Sequence, residues 1–213
     1  LADAVCEAAL RSTWKRLCQQ RGTPLGPDGR PARFVVLGLG KLGGVELNYS
    51  SDIDLVFLYD ADGQTDSNRP ITNAEFFDRL ARELVRLLAE PTELGAAYRV
   101  DLRLRPEGER GPIVIGMAAA LHYYDLRGRT WERQAYIKAR PVAGDRALGR
   151  ELLEELGPWI YRRYLSRADI SGIKALKRRI EQQTHRQGGQ VRDVKTGPGG
   201  IRDVEFVLQF LQL

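Results

Sequence analysis

A glycine-rich turn that runs into two aspartates is the feature that most limits what this chain can be. Gly38-Leu39-Gly40-Lys41-Leu42-Gly43-Gly44 follows the apolar run Phe34-Val35-Val36-Leu37, and Ser50-Ser51-Asp52-Ile53-Asp54 leads into a second run ending at Tyr59. A short apolar run closed by glycine reads as a buried strand. The alternating, partly β-branched and aromatic stretch Ile53–Tyr59 reads as another. Side chains on a strand repeat every two residues, so Asp52 and Asp54 project from one face. Two carboxylates a few ångströms apart repel unless a cation lies between them. Mg²⁺ takes oxygen ligands and is often held by one or two carboxylates plus substrate phosphates. The glycines before the pair let the backbone approach a phosphate closely. A short helix is expected around Val45-Glu46-Leu47.

Two better-known phosphate motifs are excluded by spacing. Gly38, Gly40 and Gly43 match the dinucleotide fingerprint, but Asp-Ile-Asp follows too soon to leave room for the crossover helix that fold requires. The Walker pattern fails because Leu42, not Ser or Thr, follows Lys41.

A third carboxylate is available. Tyr98 to Leu104 alternates cleanly, with Tyr98, Val100, Leu102 and Leu104 facing one way and Arg99, Asp101 and Arg103 the other. If this strand neighbours Ile53–Tyr59, Asp101 joins Asp52 and Asp54, and three carboxylates around two metals support in-line phosphoryl displacement. Arg103 and Arg105 are candidates to clamp phosphate oxygens, as are Lys138 and Arg140. Lys195, beside Gly197-Pro198-Gly199-Gly200, is placed to meet an anion at a helix N-terminus. His122 and His185 stand apart, without metal-ligand spacing.

The remaining elements follow from periodicity. Residues 2–21 read as a helix and 22–32 as a Gly/Pro-rich loop. Thr72-Asn73-Ala74-Glu75 is a capping box with Ile71 and Phe76 as its staple. It opens a helix whose apolar face is Phe76, Leu80, Leu84 and Leu87, ending near Glu90-Pro91. Ile113-Val114-Ile115 is a short strand. From Met117 the pattern is helical, over 117–127, 130–138, 146–165 and 169–187. The last helix runs to Leu213 on apolar residues with no C-cap signal, so the chain reads as a piece of a longer protein.

Cys6 and Cys18 lie in one helix, roughly 18 Å apart, too far for a disulfide, which suits a reduced, cytoplasmic setting. No apolar run reaches the ~20 residues of a membrane span. The net charge of +5, from 33 basic and 28 acidic residues, is modest. Without a basic tail or an aromatic-interleaved stripe it gives no nucleic-acid interface.

GLGKLGGVELNYSSDIDLVFLYD resembles the signature of the glutamine synthetase adenylyltransferase family, a branch of the polymerase-β-like nucleotidyltransferases. YRVDLRLRPEGERGP is similar to its second block and WERQAYIKARPVAGD to its third; together the matches span roughly Arg33 to Leu213. The resemblance implies an α+β fold: a mixed nucleotidyltransferase sheet with flanking helices over 1–116, then a helical region over 117–213. It implies Asp52, Asp54 and Asp101 as catalytic metal ligands for Mg²⁺ or Mn²⁺. It places nucleotide or phosphate on Gly40, Lys41, Gly43, Gly44, Ser51, Arg103, Arg105 and Lys195. That family's full-length enzyme carries two such halves, one adding AMP to a tyrosine of glutamine synthetase and one removing it by phosphorolysis as ADP. Asp193–Phe206 (DVKTGPGGIRDVEF), IKARPVAGD and Tyr161–Leu165 look more like the removing half, with Asp203 where Glu is expected. Glutamine synthetase is then the substrate, with inorganic phosphate and ADP or ATP as small ligands. The PII signalling protein and glutamine are the implied effectors of the whole enzyme. The rival readings are the ATP-dependent adding half, a non-catalytic nucleotide sensor, which intact acids at 52, 54 and 101 disfavour, and an RNA-directed nucleotidyltransferase.

Overall fold

The computed structural model describes residues 1–49, 51–93, 95–161 and 199–212, with seven further positions between 171 and 182. Helix α1 (Ala2–Arg21) spans the predicted residues and buries Cys6 and Leu10. A two-stranded ribbon pairs β1 (Pro24–Leu25) with β4 (Gln64–Thr65). The main sheet has β2 (Phe34–Leu39) and β3 (Ile53–Tyr59) antiparallel at its centre. Between them lies a one-turn helix, α2 (Gly40–Gly43). The strand order is β5-β3-β2-β7, with β5 (Val100–Asp101) and β6 (Val114–Gly116) pairing parallel to β3 one after the other, and β7 (Arg140–Gly144) antiparallel to β2. The α+β class with a mixed sheet and flanking helices is what the sequence implied.

Every residue of β2 is buried, so the strand is covered on both faces. Phe34 and Val36 join the core formed with α1 and α3 (Asn73–Ala89), where Phe34, Phe57, Tyr59 and Phe77 stack and Phe76 and Trp14 meet them edge-on or tilted. Val35 and Leu37 face the other way, against α6 (Arg146–Ile160) at Gly149. Aromatic clusters of this kind bury large areas and gain about 0.5–1.5 kcal/mol per ring pair beyond burial. Thr72 caps α3 as predicted: its hydroxyl accepts the Glu75 amide at 3.2 Å, and the Glu75 carboxylate accepts the Thr72 amide at 3.0 Å. The buried face of α3 includes Leu88 rather than Leu87, which is 39% exposed.

Three further expectations are corrected. The helix after the glycine run is Gly40–Gly43, earlier than Val45–Leu47; Val45 instead takes a positive φ of 60° just past it. The strand at Tyr98–Leu104 shortens to Val100–Asp101, because the Asp101 carboxylate accepts the Arg103 backbone amide at 2.8 Å and turns the chain. Residues 140–144, which lie between the helices expected over 130–138 and 146–165, form β7.

By contacts the chain divides into two compact units. The first is residues 1–127 with 138–156, and the second is 128–137 with 157–213. The first unit therefore takes in α4 (Met117–Arg127), β7 and most of α6, all beyond the expected limit at 116. In the second, α5 (Thr130–Tyr136) carries Arg133 over the Trp159 ring, and a last helix covers Ile201–Gln212.

Candidate active site

Asp54 sits on β3 with Leu39 of β2 as its register partner on one side and Asp101 of β5 on the other. Paired residues on neighbouring strands project to the same face about 5 Å apart. The two carboxylates thus share a face, as the alternation of charges required. Asp52 precedes the strand by one residue, and its carboxylate accepts from Arg99 Nε. The Arg99 carbonyl in turn accepts the Ile53 amide at 2.9 Å, locking the start of β3 to β5.

The glycine turn meets this face. Gly40 has a φ of +53°, and a Cβ there would lie 2.4 Å from Asp54 Oδ2, so only glycine lets the backbone lie directly on the carboxylate. At Gly43 a Cβ would meet the Lys138 carbonyl at 2.0 Å. Lys41 is half-buried within α2, and Gly44 follows as its C-cap, donating to the Gly40 carbonyl at 3.0 Å. Ser51, next to Asp52, donates its amide to the Asn48 carbonyl.

Burial, with Asp101 and Asp52 beside it, pushes the Asp54 carboxyl up to about 6. Asp101 moves the other way. Arg103 holds it below the usual carboxylate range, with Nε 3.0 and 2.9 Å from the two oxygens. As the side chains stand, no group of three His, Cys, Asp or Glu residues among those described converges to enclose a metal ion. The residues nevertheless fit one. All three donors are hard carboxylate oxygens. Asp54 is destabilised as an anion in a way a cation would relieve. The arginines that pair with Asp52 and Asp101 are 70% and 69% exposed, although the Asp101 side chain itself is largely buried, and solvent weakens a pair whose cation lies at the surface.

The four arginines around the site divide sharply. Arg103 points at Asp101. Arg105, predicted to bind phosphate, donates instead to the carbonyls of Leu102, Glu109, Gly111 and Pro112, so it organises the loop from which Arg103 projects. Arg99, which flanks Asp101 in the alternating pattern, engages Asp52. Arg140 donates to Asp3 and to the carbonyls of Leu42 and Gly43. No local signal could have shown this, because its carboxylate partner is 137 positions away. Lys138 pairs with Glu46 at 2.7 Å. Lys195 lies outside the described residues.

A glycine turn lying on an acid of one strand, with a second acid beside it on a parallel neighbour, fits the nucleotidyltransferase-type domain that the sequence resemblance implies. Comparison with known sequences narrows the class. The sequence model of glutamate-ammonia ligase adenylyltransferase matches residues 1–155, and that of the GlnD PII-uridylyltransferase matches 174–213. Over the whole chain it is 48% identical to the bifunctional glutamine synthetase adenylyltransferase/adenylyl-removing enzymes of Thioalkalivibrio sulfidiphilus and Pseudomonas aeruginosa. It is 49% identical to that of Nitrosococcus oceani. In each case it spans 22% of the relative's length. The chain belongs to the glutamate-ammonia ligase adenylyltransferase family. No helix among the described residues is long and apolar enough to cross a membrane.

Proposed function

We propose that this chain is the adenylyl-removing part of a bifunctional, cytoplasmic regulator of glutamine synthetase. It would take AMP from an adenylylated tyrosine by phosphorolysis and release ADP. The observation that carries the reading is the pairing of Asp54 with Asp101 beneath the Gly40 backbone. That surface would receive a phosphoryl group between backbone and carboxylates.

In the reaction an oxygen of inorganic phosphate bonds to the α-phosphorus of AMP-tyrosine. The bond from that phosphorus to the tyrosine oxygen breaks, and the tyrosine leaves to be protonated. Asp52, Asp54 and Asp101 would hold Mg²⁺ or Mn²⁺, which when bound neutralises charge building on the phosphoryl and leaving oxygens. Gly40 keeps the backbone close enough to line the phosphoryl oxygens. Arg103, exposed and freed when Asp101 is otherwise engaged, supplies a guanidinium fork for the attacking phosphate. Arg105 keeps the loop shaped so that Arg103 reaches.

The direction of reaction rests on the likeness of Asp193–Phe206 to the removing half; the relatives' names carry both activities and do not choose between them. Glutamine synthetase as substrate follows from those names. The PII protein and glutamine as effectors follow from the family resemblance. The test is to incubate the full-length protein with adenylylated glutamine synthetase and labelled inorganic phosphate. Label recovered in ADP supports phosphorolysis. Free AMP with no labelled ADP contradicts it.

A further inference from the structure

The C-terminal end of α2 is fixed from outside the site. A one-turn helix cannot pair all its own last carbonyls. Here the Glu46 amide takes that of Lys41 at 2.8 Å, the Val45 amide reaches that of Leu42 at 3.3 Å, and a single side chain takes the Leu42 and Gly43 carbonyls together. Arg140 on β7 donates from Nε to the Gly43 carbonyl at 3.1 Å and from Nη2 to the Leu42 carbonyl at 3.0 Å. The same guanidinium grips Asp3, Nη1 to Oδ2 at 2.6 Å and Nη2 to Oδ1 at 2.9 Å. Asp3 lies in the first turn of α1. Both side chains are about one-third exposed or less, and Arg140 holds the Asp3 carboxyl below its ordinary range. A second acid of α1, Glu7, accepts the Gly144 amide at 2.9 Å and ties the other end of β7 to the same helix.

At its opposite end, the turn that Arg140 grips places Gly40 on the Asp54 carboxylate. Gly40 and Gly43 are only about 5 Å apart along the helix axis, so a shift at one end is a shift at the other. Gly43 itself rests against the Lys138 backbone with no room for a side chain. We infer that Arg140 and Asp3 are a positioning pair: they hold the glycine turn at the height the phosphoryl group needs and make that height depend on helix α1. Neither residue touches substrate. The inference rests on the site assignment proposed above and adds to it a dependence on an element that contributes no group to the chemistry.

The test uses the full-length protein and follows both AMP removal and AMP addition. Arg140→Ala lowers kcat for removal by about a hundredfold, the scale of a misplacement near 1 Å. It leaves KM for adenylylated glutamine synthetase within about twofold and the addition activity within about threefold. Arg140→Lys keeps a cation facing Asp3 but cannot fork to the two carbonyls as well. It therefore melts near the wild-type temperature while kcat stays about tenfold down. Asp3→Asn lowers kcat in the same sense, and Asp3→Asn combined with Arg140→Ala is no slower than Arg140→Ala alone, as expected of one unit. Full recovery of kcat in Arg140→Lys, or additive losses in the double variant, overturns the inference. If addition falls while removal is spared, the positioning pair stands and the assigned direction of reaction fails. If Arg140→Ala does not fold, the Lys and Asn variants decide.

Discussion

The glycine turn and the arginine loop reach Asp54 from the two edges of β3, and they are held in different ways. On the β2 side the backbone itself touches the carboxylate, and the turn is pinned by the partly buried Arg140 to two carbonyls and to Asp3. On the β5 side the outermost contacts are made by exposed arginines, Arg103 with Asp101 and Arg99 with Asp52. Behind them Arg105 is bound to a ring of loop carbonyls. One edge is a fixed wall and the other is a mount carrying exposed charge. Charged hydrogen bonds to backbone carbonyls at a helix end hold a shape, whereas ion pairs made by exposed side chains exchange partners easily. Residue type alone does not say which an arginine will do: Arg103 and Arg105 are two positions apart and do opposite things.

The wall is broken most severely by Gly40→Ala. The added methyl meets Asp54 Oδ2 at 2.4 Å and sits on a positive φ. Turnover should fall by about a hundredfold, while the strained backbone costs only about 1–2 kcal/mol of stability. Thermal melting alongside steady-state rates checks this, and near-normal turnover would show that the turn does not contact the reacting group. The mount is broken by Arg105→Ala, which strips the partners from several loop carbonyls at once. A loss of roughly 2 kcal/mol in a denaturant titration is expected, with activity falling because Arg103 is no longer placed. If melting and rates stay unchanged, the loop is held by something else.

Arg103→Ala sharpens the contrast, because it should leave stability within about 0.5 kcal/mol. It should raise the apparent KM for phosphate by about tenfold without changing KM for the adenylylated protein. An unchanged phosphate KM would remove Arg103 from the site.

The smallest effect is on stability against pH. A carboxyl raised in the folded state favours folding when it is protonated. The Asp54 contribution is therefore full below about pH 4 and is lost as pH rises through about 6. With a chelator present, Asp54→Asn should melt roughly 3 °C above the wild type near pH 8 and show no advantage near pH 4. Equal melting temperatures at both pH values would mean that the Asp54 charge is not strained.

Much of this architecture was legible in the residues. Period and punctuation gave α1, β2, β3 and the capped start of α3, because each buries a continuous face. The acid pair and Asp101 were legible because strand alternation alone puts them on one side. What escaped depended on side chains bonding to backbone. The Asp101 carboxylate ends its strand by capturing the Arg103 amide, which an alternating pattern cannot reveal. Pro141 and Gly144 hid β7, an edge strand whose pairing with β2 is irregular between Val36 and Leu37. Leu87 and Leu88 both fit the helical period, and only packing chose Leu88. Arg105 and Arg140 turn to backbone carbonyls, partners that leave no trace in residue identity, and Asp3 pairs with Arg140 across 137 positions.

We propose that the carboxylates on β3 and β5 carry the removal of AMP. Full-length protein with Asp54→Asn, incubated with adenylylated glutamine synthetase and inorganic phosphate, tests it directly by ADP formed per minute. The predicted result is a loss of about a thousandfold or more in ADP release, with ATP-dependent addition of AMP by the same preparation close to wild type. ADP release that survives the substitution, or a loss confined to addition, would contradict it.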